Sequence, residues 1–385
     1  FARQSALPIS PLQAVAGNVP SASMSVIIPT AGGSNPDVIA AVRILAEQEP
    51  QSLLVLCGNP ESRVGAIAAR NRLIDFVAFE LPAGRDGFLA TNSLLAFCVL
   101  MGRAYCEVAG QKPRLPKEFA GLLRDKRLLR RTDVRDSQLL PVLSRQTVVV
   151  LHGPSTAAAA VDLESKFTES ALGQVQVCDY RQFAHGRHHW LAKRPNDTAI
   201  LSIESIDDQT VAEQTLSILP ENIPVARIKV RHSGWMADLS GICEALFVTG
   251  VAGRVLGIDP GRPGVPPFGR ELYHANAFPR RESNSPRQSN QLTNWQAKAI
   301  ERKSQTTIGQ LQLENRLLFW QSSLAKTLER LAADRFCGLV VDYDGTLCNE
   351  DERFDPLPKD IVDALSNLLA AGMMLGVATG RGKSV

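Results

Sequence analysis

Short apolar runs alternate with amphipathic stretches along most of the chain. In the N-terminal part they predict strands at residues 25–29, 53–57 and 75–80, with helices at 38–47 and 63–70 between them. A long apolar helix follows the third strand. Strands that alternate with helices in this way predict a doubly wound parallel sheet of the α/β class.

The alternation begins again after a polar segment at residues 111–135, whose interleaved basic, acidic and leucine residues predict a helical connection. The elements predicted for this second cycle are strands at 147–151, 174–179, 198–203 and 225–230, helices at 157–171 and 207–219, and a long helix at 241–255. Residues 277–294 lack periodicity, which indicates a linker, and residues 295–334 have helical spacing.

A third α/β segment lies near the C-terminus. An apolar strand at 339–341 is followed at once by the carboxylates of Asp342 and Asp344. A helical pattern at 358–372 leads to a second apolar strand, which ends at Thr379. Because the carboxyl ends of parallel strands meet at one edge of a sheet, we expect Thr379 to lie beside Asp342. Two carboxylates one position apart on a turn can both face a bound cation.

Composition limits the classes of function. A chain of 385 residues can hold two or three domains, and a net charge of +3 is too small to indicate nucleic acid or a membrane as a partner. No apolar run approaches the roughly 20 residues that span a bilayer. The seven cysteines include no Cys-x-x-Cys pair, which is typical of free thiols in a cytoplasmic protein. Because the chain begins at Phe1 and stops soon after Thr379, we expect it to be a fragment.

The loop at residues 30–37 is the first candidate binding site. It lies between a predicted buried strand and the start of a helix, where free backbone N–H groups favour a phosphate. The candidate donors are the side chains of Thr30, Ser34 and Asn35 and the backbone N–H groups of Gly32 and Gly33. A tight strand-to-helix turn that binds nothing would have the same pattern, so both interpretations stay open.

Four short motifs occur within residues 5–275, and the two in the first cycle contain Thr30, Gly33, Asp37, Gly87 and Thr91. The order of the four motifs resembles that of the paired sugar isomerase (SIS) domains, as in the isomerase half of glucosamine-6-phosphate synthase, and these five positions match. The resemblance implies a phosphorylated sugar as ligand, with Thr91 among the phosphate-binding residues, and a homo-oligomer formed through the SIS domains. Asn92 stands where the family has a lysine, and the first strand and helix of the first domain are expected to be absent.

In the second cycle, Lys166, Glu169 and His185 have the spacing of the family's ring-opening and proton-shuttling residues. The resemblance implies that Glu169 is the base that moves a proton between C1 and C2 of the sugar. A partly desolvated carboxylate can do this near neutral pH. His185 would open the ring, and Lys166 would hold a hydroxyl or the carboxylate. The alternative is a helix-surface Lys–Glu pair with a loop histidine, and Arg270 stands near where the family's catalytic lysine would be.

The run from Asp342 to Thr346 resembles the first motif of the haloacid dehalogenase (HAD) superfamily of phosphatases, and the strand that ends at Thr379 resembles the second. The resemblance implies that Asp342 is the nucleophile, that Asp344 is the acid/base, and that Thr379 holds the phosphate. It also implies a Mg²⁺ cofactor held by Asp342 and Asp344. The superfamily's later lysine and second acidic motif are not in the sequence.

We therefore predict two doubly wound SIS domains followed by the start of a Rossmann-like HAD domain. The predicted segments are a first SIS domain at 1–110, a connection at 111–145, a second SIS domain at 146–276, a linker with docking helices at 277–334, and a HAD core at 335–385. The predicted function is that of an aldose–ketose type sugar-phosphate isomerase fused to a magnesium-dependent phosphatase. The alternative is a catalytically silent phosphosugar sensor that controls the phosphatase, which Asn92 and Arg270 favour.

Overall fold

The computed structural model describes residues 6–16, 24–48, 50–71, 73–123, 138–275, 292–334, 336–343, 346–348 and 356–379. The chain divides into two compact units, Phe1–Ser283 and Asn284–Val385. Both predicted SIS domains fall in the first unit, and the division lies within the segment predicted as linker and docking helices.

The first sheet contains three parallel strands in sequence order. The helices and strands of this part of the chain are α1 (Pro11–Ala16), β1 (Ser25–Thr30), α2 (Pro36–Glu47), β2 (Ser52–Cys57), α3 (Arg63–Ala68), β3 (Asp75–Ala78) and α4 (Asn92–Val108). The side chains of Val42, Val55 and Val64 are fully buried where α2 and α3 pack on the sheet. The apolar positions that predicted these elements therefore form the core.

The second sheet contains four parallel strands. Its elements are α5 (Leu139–Leu143), β4 (Thr147–His152), α6 (Ala157–Glu169), β5 (Gln174–Asp179), α7 (Tyr180–Gln182), α8 (His188–Lys193), β6 (Thr198–Glu204), α9 (Gln209–Leu216), β7 (Val225–Lys229), α10 (Gly234–Leu256) and α11 (Pro267–His274). The strand order is β5–β4–β6–β7. All seven residues of β6 are buried, as expected for a central parallel strand. A Cβ on Gly241 would lie 2.6 Å from the Cβ of Ala159, so the glycine lets α10 approach α6 closely.

The helix α10 is longer than the sequence predicts, because it begins at Gly234 rather than at residue 241. The ring of Trp235 lies against Gly102 of α4, where an added Cβ would come within 2.4 Å of it. By length and a mean hydropathy of 1.5, α10 could cross a membrane, but 67% of this apolar stretch is buried inside the protein. We therefore assign α10 to the core of the first unit.

The predicted helical connection at 111–135 is wrong for the part that the structure describes. Residues 111–118 are irregular and lead to a short 3₁₀ turn, Phe119–Gly121. Pro113 and Pro116 explain the difference, because proline lacks the N–H that an internal helical position needs. Residues 124–135 of the predicted connection lie outside the described residues.

The second unit contains helices and one strand–helix–strand crossover. Its elements are α12 (Asn294–Ser304), α13 (Ile308–Leu313), α14 (Leu317–Ala333), β8 (Gly338–Asp342), α15 (Lys359–Ala370) and β9 (Met374–Ala378). Gln305 and Asn315, both with φ near +55°, separate the three helices of the predicted helical stretch. The strands β8 and β9 are parallel, and Asp342 lies opposite Ala378.

Candidate functional site

The loop after β1 is built around Gly33. Gly33 has φ of +59°, and a Cβ there would lie 2.6 Å from the side chain of Ser62 and 2.9 Å from Cys57 Sγ. Its N–H donates to Oγ1 of the buried Thr30 at 3.2 Å. A left-handed backbone in so small a space requires glycine. The loop is therefore held tightly against the ends of β1 and β2.

The same loop leads into helix α2, and some of its hydrogen-bonding side chains already have partners within the loop and the first turn of the helix. Asn35 Oδ1 accepts from the N–H groups of Asp37 and Val38 at 2.9 and 3.1 Å, which caps the helix. The hydroxyl of Ser34 donates to the carbonyl of Gly32 in a long bond of 3.4 Å. Within the described part of the chain, the N–H groups of Gly32 and Ser34 have no hydrogen-bond partner, and both residues are exposed.

The helix α11 lies beside this loop although it is distant in sequence. Asn35 Nδ2 donates to the hydroxyl of Tyr273 at 3.3 Å, across 238 residues. Tyr273 is 56% exposed, and no residue of α11 is buried. The loop after β1 and the helix α11 therefore meet at the carboxyl edge of the first sheet.

The segment before α4 is held by Asp86. Its Oδ1 accepts from the N–H and hydroxyl of Thr91 at 3.1 and 3.0 Å and from the N–H of Ser93 at 3.2 Å, and its Oδ2 accepts from the Ser93 hydroxyl. Burial would raise the pKa of Asp86, but the hydrogen bonds from Ser93 and Thr91 outweigh it and lower the pKa. The hydroxyl proton of Thr91 is therefore already donated to Asp86. The assignment of Thr91 to phosphate binding stays a prediction, and it requires the hydroxyl to leave Asp86 and donate to the phosphate instead.

A cavity of about 280 Å³ lies between the segment before α4, the helix α10 and the turn that follows α10. The N–H of Phe88 donates to the carbonyl of Gly261 at 3.2 Å and joins two of these walls. The end of α6 is nearby, because the hydroxyl of Ser170 donates to the carbonyl of Pro260 at 3.4 Å. The cavity thus adjoins the helix that carries two of the predicted catalytic residues.

Lys166 and Glu169 do not form a pair. Lys166 is only 3% exposed and makes an ion pair with Asp162, one turn earlier on α6. Burial raises the pKa of Asp162, although the hydrogen bond and the charge of Lys166 act to lower it. Glu169 is exposed and accepts a hydrogen bond from Ser165. The structure thus has an ion pair between the buried Lys166 and the half-buried Asp162, and an exposed Glu169, so the helix-surface Lys–Glu pair of the alternative interpretation is not formed.

His185 is exposed and lies at a kink that follows β5, where its own backbone and that of Gly186 (φ of +116°) are not helical, whereas Glu169 precedes β5. Because β5 has six residues, it spans about 20 Å. The topology therefore places the two residues at opposite ends of one strand. The structure therefore does not bring His185 to Glu169 within the chain.

In the second unit, Asp342 is exposed at the end of β8 and accepts a hydrogen bond from the hydroxyl of Thr346 at 3.3 Å. The N–H of Tyr343 donates to the carbonyl of Ala378 at 3.3 Å, and Thr379 is the next residue. Asp342 and Thr379 thus share one edge of the sheet, as the sequence predicts. Asp344 lies outside the described residues, and the residues that the structure does describe include no cluster of three or more potential metal ligands.

Three residues of the first unit that contact the predicted site residues were not found from the sequence. Asp86 accepts hydrogen bonds from residues five and seven positions later, beyond the three-residue spacing of an ordinary helix cap. Tyr273 gives no local signal, because its partner is Asn35. Asp162 did have a signal, since it stands four residues before Lys166 on a predicted helix.

This geometry defines an α/β protein with parallel sheets and a candidate ligand edge at the carboxyl ends of the first three strands. No family model and no curated protein matches the sequence. Among solved structures, the tagatose-6-phosphate ketose/aldose isomerase from Escherichia coli is similar with a TM-score of 0.52 and 15% identity, over 67% of this chain and 76% of that chain. At this identity, the similarity establishes the fold alone.

Two further structures resemble the chain more weakly. The glucosamine-6-phosphate deaminase from Thermotoga maritima has a TM-score of 0.48 and 12% identity, over 66% of this chain and 77% of that chain. A putative tagatose-6-phosphate ketose/aldose isomerase from Clostridium novyi has a TM-score of 0.48 and 18% identity, over 64% and 69%.

Proposed function

We propose that the first unit is a SIS-type protein that binds a phosphorylated sugar at the carboxyl edge of its first sheet. The observation that carries this proposal is the Gly33 turn, which leaves the exposed N–H groups of Gly32 and Ser34 beside the hydroxyl of Thr30. These donors stand at the start of a 12-residue helix, whose dipole favours an anion. The fold shared with a sugar-phosphate isomerase supports the same ligand class.

Binding of the phosphate group can be tested by removing the two hydroxyls. In the double variant Thr30→Ala and Ser34→Ala, we expect the affinity for hexose 6-phosphates to fall about 100-fold, because two hydrogen bonds to a charged oxygen contribute about 3 kcal/mol together. Calorimetric titration with glucose 6-phosphate, fructose 6-phosphate and the free sugars measures this loss. Ser217→Ala, which removes an exposed hydroxyl at the end of α9, is the control. Equal affinity for a sugar with and without its phosphate would contradict the proposal.

For the chemistry, the isomerase hypothesis gives Glu169 the role of the base, His185 that of ring opening and Lys166 that of holding a hydroxyl or the carboxylate. A sensor without isomerase activity is the second candidate. It is favoured because Glu169 is solvated, Lys166 is occupied by Asp162, and β5 separates Glu169 from His185. Homo-oligomer formation through the first unit stays a prediction.

Deuterium exchange at C2 of the bound sugar distinguishes an isomerase from a sensor. If Glu169 is the base, the native protein exchanges deuterium from D₂O, and Glu169→Gln lowers the exchange rate by about 10²–10⁴-fold with little change in affinity. Glu164→Gln, a half-buried glutamate on the same helix, is the matched control. Binding of the phosphosugar without any exchange would reject the isomerase and favour the sensor.

For the second unit, we propose a HAD-type phosphatase in which Asp342 is the nucleophile. Its exposed carboxylate at a strand end, beside Thr346 and Thr379, supports this role. The donor set fits Mg²⁺ in type, because Asp342 offers the carboxylate oxygen that this cation prefers and Asp344 is predicted to add a second. The cation would neutralise charge on the phosphoryl oxygens when bound.

In the intact protein, Asp342→Asn should abolish Mg²⁺-dependent release of phosphate, because an amide is a poor nucleophile and a weaker metal ligand. Asp363→Asn, an exposed position on α15, is the control. Turnover that is unchanged in Asp342→Asn would reject the assignment.

A further inference from the structure

The side-chain amide of Asn35 has a fixed orientation. Its Oδ1 accepts from the N–H groups of Asp37 and Val38 at 2.9 and 3.1 Å, which leaves Nδ2 as the end of the amide that faces Tyr273. Nδ2 donates to the hydroxyl oxygen of Tyr273 at 3.3 Å. Because an amide NH₂ group can only donate, the tyrosine oxygen is the acceptor of this bond. The hydroxyl proton of Tyr273 is therefore directed elsewhere.

This hydroxyl proton has no acceptor among the described residues, and Tyr273 is 56% exposed. The loop after β1 carries two exposed backbone donors of the same kind, the N–H groups of Gly32 and Ser34, which have no partner in the part of the chain that the structure describes. Asn35, which bonds to Tyr273, directly follows Ser34. The loop therefore presents two unpaired N–H groups, and α11 adds a hydroxyl donor beside the next residue.

The fold does not depend on this hydroxyl. None of the eight residues of α11 is buried, and the bond between Asn35 and Tyr273 lies at the surface. A neutral hydrogen bond at the surface adds little to stability, because folding only exchanges bonds to water for bonds within the protein. Hydrogen bonds to a charged oxygen are shorter and roughly twice as strong. An anion at the loop would therefore be the stronger partner for the Tyr273 hydroxyl.

We propose that Tyr273 binds the ligand directly, and that its hydroxyl donates to a phosphate oxygen held by the loop after β1. This inference rests on the phosphosugar-binding function proposed above. Asn35 then has two roles, since its Oδ1 caps α2 and its Nδ2 orients the phenol oxygen. The phosphate is thus bound by donors from two segments, the loop after β1 and the helix α11.

The variant Tyr273→Phe removes the hydroxyl and keeps the ring. In calorimetric titrations with glucose 6-phosphate and fructose 6-phosphate, we expect the dissociation constant to rise about 10–100-fold, the scale of one hydrogen bond to a charged group. Inorganic phosphate should lose affinity by a similar factor, because the lost bond is made to the phosphate. The matched control is Tyr105→Phe, which removes a hydroxyl about 20 Å along α4 from its first residue.

Amide hydrogen exchange separates direct binding from an indirect effect through Asn35. The amides of Asp37 and Val38 donate to Asn35 Oδ1, so their exchange shows whether the cap survives the substitution. In Tyr273→Phe without ligand, we expect both amides to exchange at the native rate. Faster exchange at both amides together with a loss of affinity would make Tyr273 a residue that only positions Asn35, and would overturn the inference.

An equal affinity for the sugar phosphates in Tyr273→Phe and in the native protein would also overturn the inference. If binding still requires the phosphate, the proposed phosphosugar function survives that result. If the native protein binds neither sugar phosphate nor inorganic phosphate, the phosphosugar function fails and this inference fails with it.

Discussion

Replacing Asp86 should loosen the start of α4 and the cavity wall beside it. The carboxylate accepts from Thr91 and Ser93 at 3.0–3.2 Å and so caps the helix from outside its first turn. Loss of a side-chain cap costs about 0.5–2 kcal/mol. Because these hydrogen bonds are made to a charged acceptor, we expect Asp86→Ala to lie at the upper end, near 2 kcal/mol, and Asp86→Asn to lie between Asp86→Ala and the native protein.

Amide hydrogen exchange measures this effect locally. A loss of about 2 kcal/mol corresponds to roughly 30-fold faster exchange at the amides of Thr91 and Ser93. The strands of the second sheet should keep their exchange rates and serve as the internal reference. Unchanged exchange at both amides in Asp86→Ala would refute the capping role.

The pH dependence has a defined sign. Burial raises the pKa of Asp86, but the hydrogen bonds from Ser93 and Thr91 bring it below the ordinary value of 3.8. A carboxylate whose pKa is lowered on folding stabilises the folded state above its unfolded pKa, and this stabilisation is lost as the pH falls through the folded pKa. Urea unfolding should therefore separate the native protein from Asp86→Asn at pH 7 and bring them together in acid below 3.8. An equal difference at both pH values would contradict a charge effect.

Three further substitutions test the packing around the sites. Gly33→Ala should lower the free energy of unfolding by about 1–2 kcal/mol because of the positive φ, and by a further 1–3 kcal/mol because the added Cβ overpacks the site. Gly84→Ala, which has a positive φ but open space around it, should show only the first of these costs. Urea unfolding measures both. Arg227→Met leaves the fully buried Glu204 without the bidentate bonds of 2.7 and 2.8 Å and should cost about 3–5 kcal/mol, most of which Glu204→Gln in the same protein should restore. Lys166→Met leaves the half-buried carboxylate of Asp162 without its partner and should lower the thermal midpoint. A midpoint equal to that of the native protein would show that the ion pair does not stabilise the fold.

The strands and most helices could be predicted because their signal is local. The apolar run at residues 198–203 becomes β6, in which every side chain is buried, and the run at 147–151 becomes β4. The start of α10 was missed because Gly234 and Trp235 do not belong to an apolar period, and Trp235 is fixed by contact with Gly102. Periodicity reports which face is buried, and it cannot report a contact made by one large ring on a distant helix.

The candidate site was predictable only in part for the same reason. Gly33 could be found because a strand, a glycine-rich loop and a helix start are adjacent in sequence. The pairing of Lys166 with Asp162 rather than Glu169 depends on which face of α6 is buried, which spacing alone leaves undecided. The assignment of Thr91 overlooked Asp86, because a carboxylate in an irregular segment can fold back on the helix at several spacings.

The hydrogen bond between Asn35 and Tyr273 has a consequence for how the protein matures during synthesis. Its partners are 238 residues apart. A ribosome that adds 5–20 residues per second therefore needs roughly 10–50 s between one partner and the other. During that interval, the first sheet can form and bury its core, while the loop after β1 still lacks the helix that will lie beside it. The loop after β1 is thus made well before the helix that completes its surroundings.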